Sequence, residues 1–307
     1  MTNLTRRNLL AAGTALPLAG LAAGTARAEA PMMGASFATH RRFMIGDFEV
    51  TTILGGTTPR ENPQGIFGMN VSEEEFANVS RENFLETDAS QFFFTPTLVN
   101  TGSEVILFDT GLNAAATVGA LEGAGYSADQ VDVVVLTHMH GDHIGGLMNE
   151  GAPTFANARY VAGQVEYDHW AQTGNEGFEA NVRPMADKMS FIGDGQDVAS
   201  GITGMAAFGH TPGHMVYRLD SAGKGLVIFA DLANHPVWSL ARPDWEVRFD
   251  ADKEAAAASR RNVLGMIAAD RVPAIGYHMP FPAVGYVDTG SNGAEYHWVP
   301  EAGQLMS

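Results

Sequence analysis

Three imidazoles and a carboxylate fall within six consecutive positions: His138, His140, Asp142 and His143, in the run Thr137-His138-Met139-His140-Gly141-Asp142-His143. Neutral imidazole and carboxylate are the ligands that a borderline Lewis acid such as zinc takes. Four such groups this close cannot all reach one ion and leave it an open position, so the spacing points to two metals. The bland alternative is a polar surface loop that happens to be rich in histidine. That alternative predicts no matching ligands elsewhere in the chain.

Matching residues exist, each at the end of an apolar run. His210 opens the turn Gly209-His210-Thr211-Pro212-Gly213-His214. Asp231 closes Leu226-Val227-Ile228-Phe229-Ala230, and His278 closes Ala274-Ile275-Gly276-Tyr277. A single strand-end histidine would read as a satisfied core residue. Three strand-end polar residues in company with the first motif are better explained by one shared site.

The elements that must position these groups can be read from periodicity. Val131 to Leu136 is a β-branched apolar run, read as a buried strand that holds the His138 loop still. Phe48, Val50, Thr52 and Leu54 alternate with period two. Thr97 to Asn100 and Glu104 to Phe108 form a hairpin about Thr101-Gly102-Ser103, leading to the turn Asp109-Thr110-Gly111. Ala158 to Ala162 reads as a strand, Val165 to Trp170 as the start of a helix, and Val216 to Leu219 with Leu226 to Phe229 as a second hairpin. Asp252 to Asp270 is alanine-rich and acid-capped, a long helix. The region from Gly55 to Ser90 is poor in strand signals. Ser72 with Glu75 three residues later is a capping pair for a short helix there. This elaboration, around residues 55–92, is expected to cover the active site or a partner subunit, which leaves a homodimer as one expectation. Periodicity alone reaches an α/β class.

In order, HxHxDH, the histidine of HTPGH, a strand-end aspartate and a late histidine resemble the metallo-β-lactamase-fold hydrolases over roughly residues 45 to 290. The run His278-Met279-Pro280-Phe281-Pro282 with Gly285 is similar to the methyl parathion hydrolase and N-acyl homoserine lactonase-like branch. The resemblance implies a four-layer αββα sandwich. It implies that His138, His140 and His210 bind one metal, that Asp142, His143 and His278 bind a second, and that Asp231 bridges them. Zinc is the metal expected at both positions. The turn of Asp109 resembles the family's structural turn below the metals, so Asp109 is read as a supporting or turn residue rather than a ligand. His214 either orients a ligand or a neighbouring loop by donating its ring N–H or is a simple core histidine. His40, His169, His235 and His297 have no ligand context and are read as surface or structural residues.

Composition limits the rest. A formal charge of −17 argues against a nucleic-acid channel, which needs a basic track. The chain has no cysteine, which excludes a disulfide, a thiolate nucleophile and a cysteine metal ligand. Arg6-Arg7, a mild apolar stretch to Gly24 and Ala26-Arg27-Ala28 resemble a twin-arginine export signal. Residues 1–28 are therefore expected to be removed, leaving 29–307 as a single periplasmic domain with no membrane span. An ordinary secretory signal or a retained anchor is the alternative.

With two metals, the implied chemistry is attack of a metal-bridging hydroxide, oriented by an acid such as Asp142, on an ester, organophosphate or lactone. Asp142 and Asp231 are the catalytic candidates. Phe281, Trp170 and Trp238 are candidates for an aromatic wall around a small, partly apolar substrate, with ordinary core residues as the alternative for each. The lactonases of the family carry a tyrosine three residues after the bridging aspartate, where this chain has Asn234. The stretch after Arg271 has no lysine or arginine, against a glutathione-thioester hydrolase. An N-acyl homoserine lactonase, and in another class a non-catalytic metal- or metabolite-binding relative, are the alternatives. A mononuclear iron oxygenase fits less well, because the second ligand set is complete.

Overall fold

Val133–Leu136 is buried along its whole length because its two faces enter different cores. Val133 and Val135 join one hydrophobic cluster, whereas Val134 and Leu136 join another. A strand covered on both sides reads as a continuous apolar run rather than an alternating one. The computed structural model describes residues 32–291 and 293–306. The expected export signal lies outside the described residues.

Two seven-stranded sheets carry the architecture. The first places, in spatial order, His40–Ile45, Phe48–Ile53, Thr97–Asn100, Val105–Phe108, Val133–Leu136, Arg159–Gly163 and Met189–Ile192. Its first four strands pair antiparallel and the remaining pairings are parallel. The second runs Asp197–Ala199, Ile202–Ala206, Met215–Ser221, Lys224–Ala230, Pro273–Gly276, Val284–Thr289 and Tyr296–Pro300. In it only Lys224–Ala230 and Pro273–Gly276 are parallel neighbours. The main core lies between the sheets, joining Ile106, Phe108 and Val135 to Val216, Leu219 and Phe229. On the outer side of the first sheet, Leu121 and Phe178 of the helices Ala114–Gly123 and Glu176–Asn181 pack on Leu107, Val134 and Tyr160. The helix Lys253–Asp270 contributes Val263, Leu264 and Ile267 to the core of the second. This is the four-layer αββα sandwich.

The long helix starts as expected, with the Asp252 side chain accepting from Ala255 N. Ser72 likewise accepts from Glu75 N and starts the helix Glu73–Glu82. The reading of Gly55 to Ser90 as poor in strands needs correction. Gly56–Glu61 pairs antiparallel with Ala89–Phe94 in a separate two-stranded ribbon. Gly-Thr-Thr-Pro-Arg-Glu carries no strand signal because the strand is mostly exposed and has no apolar face to alternate. The ribbon and helix build a small aromatic core of their own, including Phe67, Phe76, Phe92, Phe94, Trp238 and Trp245. No helix among the described residues is long and apolar enough to cross a membrane.

Candidate metal centre

The loops that follow Val105–Phe108, Val133–Leu136, Lys224–Ala230 and Pro273–Gly276 meet at one edge of the sandwich. Five residues beyond Leu136 a single helical turn begins, Gly141–Ile144, which carries Asp142 and His143. That turn lies directly on the Asp109–Leu112 loop. A Cβ on Gly146 would stand 2.0 Å from the Thr110 carbonyl oxygen, so only glycine permits the approach.

Seven of the residues singled out from the sequence are thereby brought together in two groups. His138, His140, His210 and Asp231 form one, and Asp142, His143 and His278 the other; within each, one ligand atom per residue lies within 4.8 Å of the rest. His140 turns Nδ1 inward, 3.0 Å from His138 Nε2 and 3.1 Å from His210 Nε2. Asp231 stands between the groups. Its Oδ2 is 3.3 Å from His210 Nε2 and 3.1 Å from His278 Nε2, and its Oδ1 is 3.2 Å from His143 Nε2.

The far side of four of the five rings is held. His143 Nδ1 lies 2.9 Å from Asp109 Oδ2, His210 Nδ1 lies 3.0 Å from Asp250 Oδ1, and His278 Nδ1 lies 2.7 Å from the Phe93 carbonyl. His138 Nδ1 lies 3.1 Å from Thr137 Oγ1, whose hydroxyl in turn donates to Asp109. Acceptors behind Nδ1 place the proton there and leave the Nε2 lone pair facing the centre, the tautomer a metal ligand needs. Asp109 thus lies where support from behind was expected. His214 does as well: it faces the Ala207 carbonyl with Nδ1, and its Nε2 accepts the backbone N–H of Asp231.

Two buried atoms at the middle have no hydrogen-bond partner, His143 Nε2 and Asp231 Oδ1. With His143 neutral these are two facing acceptors, which repel unless a proton or a metal ion lies between them, and leaving such groups buried and unmet is costly. The donor set is all nitrogen and oxygen, which suits a divalent ion of zinc type. The residues present therefore fit a pair of such ions.

The electrostatics divide the cluster. Burial, reinforced by neighbouring imidazoles, pushes His138 well below the ordinary histidine range and His140 down to about 4. Burial also opposes charge on His143 and His278, but the carboxylates around them outweigh it. Asp231, Asp109 and Asp142 hold His143 well above its ordinary value, and Asp231 with Asp142 raises His278 to about 10. Burial similarly resists ionisation of Asp142, yet His143 and His278 bring its carboxyl down to about 2. Without metal, protons on His143 and His278 supply the positive charge that the carboxylates require.

A cavity of about 540 Å³ opens onto the centre. Phe92, Phe94, Leu112 and Phe249 form its apolar wall, Arg60 adds a guanidinium, and His140, Asp142, Asp231 and His278 lie at its metal end. The aromatic residues expected to form the wall do not line it. Trp238 is 1% exposed and sits in the neighbouring aromatic core, with its Nε1–H donating to Ser80 Oγ. Trp170 stands behind His140, edge-on at 5.8 Å between ring centroids. Phe281 is half-buried and outside the cavity lining. Proximity in sequence to a ligand did not determine the direction in which these rings point.

Several functional residues gave no sequence signal. Asp250 and Arg260 form a fully buried ion pair behind His210, and Arg260 also donates to the Leu232 and Pro243 carbonyls. Tyr277 lies against the His143 ring, with centroids 3.9 Å apart, and donates its hydroxyl to the Asp142 carbonyl at 2.5 Å. Asn234, in the tyrosine position, donates from Nδ2 to Asp231 Oδ2 at 2.8 Å. Of the remaining histidines, His40, His169 and His297 are exposed, while His235 is buried, with Nδ1 accepting from Val237 and Trp238 N–H groups.

Comparison with known proteins agrees with this geometry. The model of the metallo-beta-lactamase superfamily matches residues 95–274. An N-acyl homoserine lactonase of Bacillus cereus is 29% identical over 111 residues, 36% of this chain and 42% of that protein. The chain spans about half or less of the length of the curated relatives it matches. Among solved structures, AidC, a dizinc quorum-quenching lactonase, superposes with a TM-score of 0.78 at 25% identity, covering 86% of this chain and 97% of that one. The hydrolase AbOPH of the beta lactamase superfamily superposes with a TM-score of 0.80 at 23% identity, covering 87% and 99%. Strand order, clustered strand-end histidines and aspartates, and a family match over more than half of its length together place this chain in the metallo-beta-lactamase superfamily.

Proposed function

We propose that this chain is a binuclear metal-dependent hydrolase of small, partly apolar esters. His138, His140 and His210 would hold one divalent ion, Asp142, His143 and His278 the other, with Asp231 shared and zinc the expected metal. The observation that carries the reading is the unmet pair His143 Nε2 and Asp231 Oδ1 beside an apolar-walled cavity. When bound, such ions make hydroxide available at neutral pH and polarise the substrate oxygen. The chain's own part is positioning. Asp142, ionised at the cavity floor, orients the attacking water, and Phe92, Phe94 and Phe249 exclude bulk water around the substrate.

The leaving group can be argued from the same lining. No tyrosine, lysine or cysteine is among the lining residues, and Asn234 holds an amide that is no acid at neutral pH. An alkoxide would depart without a side-chain proton donor, which favours acidic leaving groups such as phenols. Aryl esters therefore lead, with aryl phosphotriesters closely related in chemistry. An N-acyl homoserine lactonase is the second reading, supported by the likeness to the dizinc lactonase AidC over 97% of its length. A series of aryl and alkyl esters, acyl lactones and aryl phosphotriesters tests the choice. Rates with metal-loaded protein should fall steeply as leaving-group pKa rises; lactones turned over faster than activated aryl esters would establish the second reading instead.

A further inference from the structure

Glu166 is 1% exposed and makes no ion pair among the described residues, yet both of its oxygens are fully occupied. Oε1 accepts from Met139 N at 2.9 Å and from Trp170 Nε1 at 2.6 Å. Oε2 accepts from Thr211 Oγ1 at 2.7 Å and from Gly213 N at 2.9 Å. Met139 lies between His138 and His140, and Thr211 and Gly213 follow His210. One carboxylate therefore ties the two loops that supply the three-histidine group, loops separated by about seventy positions in the chain. The docking is close: a Cβ on Gly213 would stand 2.1 Å from Glu166 N, so the His210 turn rests directly on the helix Gln164–Trp170. Trp170, the fourth donor, meets the His140 ring edge-on from the other side.

The second group is held by other residues, of which Asp109 alone also stands behind the first, reaching His138 through Thr137. His143 is held by Asp109, His278 by the Phe93 carbonyl and Asp142 by Tyr277. Glu166 reaches none of these residues. Its four donors are all neutral, so a cation among His138, His140 and His210 would be a counter-charge to this carboxylate.

We propose that Glu166 is a positioning residue that sets the affinity of the His138/His140/His210 site alone, a support that the other site does not share. This rests on the binuclear reading above. Four donors converge on two oxygens, so the nearly isosteric Glu166→Gln is already disruptive. It turns an NH2 toward two of the donors and removes the charge.

The test is a zinc titration of the metal-free protein against a chromophoric chelator, for the unaltered chain, Glu166→Gln and His278→Ala. The unaltered chain should bind two equivalents. Glu166→Gln should keep one unchanged and weaken the other by about 10–100-fold, the usual effect of losing a ligand's hydrogen-bond support. In the double variant with His278→Ala no tight equivalent should remain, which identifies the surviving one. Zinc-induced change in Trp170 emission, assigned with Trp170→Phe, should shift to the higher zinc concentration in Glu166→Gln. If that variant does not fold, Thr211→Val, which removes one donor of four, should weaken the same equivalent to a smaller extent. Equal weakening of both equivalents, or none, would overturn the proposal. Fewer than two equivalents in the unaltered chain would overturn the binuclear reading and this proposal with it.

Discussion

His143 Nε2 and Asp231 Oδ1 face each other at 3.2 Å, both buried, and neither is hydrogen-bonded. The relationship follows from what stands behind each group. Asp109 takes the Nδ1 side of His143, while the backbone N–H of Asp231 is bound by His214 and its Oδ2 is met by Asn234. The two remaining acceptors point into the same space. Asp231→Asn keeps the shape and removes the charge. Since loss of a mere supporting contact costs ~10–100-fold in metal affinity, this variant should lose at least that much at one site. Activity should return in part at high zinc. Unaltered zinc affinity and activity in the asparagine variant would contradict the bridging role.

The buried pair behind His210 leads to a stability prediction. Asp250→Ala strands the Arg260 guanidinium, which is 1% exposed, and breaking a buried ion pair from one side costs about 3–5 kcal/mol. Urea unfolding of the metal-free variant should show a loss of that order. Replacing both partners with apolar residues should recover much of it, leaving His210 without its support. A loss under ~1 kcal/mol in the single variant, the range of exposed pairs, would show that Arg260 finds solvent.

Metal-free stability should peak near neutral pH, for reasons that differ on the two sides. His278 is raised from its ordinary 6.5 to about 10 by Asp231 and Asp142 against the opposing effect of burial. Its contribution is complete below 6.5 and is lost as pH climbs toward 10. Burial lowers His140 to about 4 and His214 and His235 to about 3, so the unfolded chain takes up their protons first on acidification. Stability should therefore also fall as pH drops from 6.5 toward 4. Because a ligand must shed its proton to bind, zinc affinity should rise between pH 6.5 and 10. Urea midpoints measured across this range check the first claim, and proton release on zinc binding checks the second. A stability curve flat from pH 6.5 to 10 would rule out His278 as the metal-free cation.

Phe249 closes the apolar wall of the cavity and meets the Phe92 ring edge-on at 6.5 Å. Phe249→Ala removes surface that would otherwise be buried by the substrate, at ~25 cal/mol per Å². KM for a substrate with a large apolar group should rise about five- to tenfold, with little change for an acetyl ester. Parallel changes for both substrates would mean that the ring does not contact the apolar group.

Export is testable apart from the fold. Substituting lysine for Arg6 and Arg7 together should leave unprocessed protein in the cytoplasm. Unchanged periplasmic levels would exclude the twin-arginine route.

The strand-end residues could be read from the sequence because their chemistry contrasts with the apolar runs before them. His138, His210, Asp231 and His278 each interrupt a stretch that otherwise has no reason to stop at a polar group. Their supports carry no such contrast. Glu166 lies in a seven-residue helix beside Asp168 and His169, where an acid looks solvated. Arg260 sits on a helix of alanine and charged residues, and only tertiary packing shows that its face is the buried one. The Gly56–Glu61 strand was hidden because exposure removes the apolar alternation by which strands are recognised. The cavity wall comes from Phe92, Phe94 and Phe249, which are remote in sequence from most of the ligands they surround. Ring direction depends on packing, and spacing along the chain does not encode it.

In the proposed centre seven side chains hold two ions with Asp231 between them. Anomalous diffraction from crystals grown with zinc tests it most directly. Two peaks are predicted, one about 2.0–2.3 Å from His138 Nε2, His140 Nδ1 and His210 Nε2 and the other equally close to Asp142, His143 Nε2 and His278 Nε2. The Asp231 carboxylate should reach both. A single peak, or ions bound elsewhere with these side chains unliganded, would contradict the account.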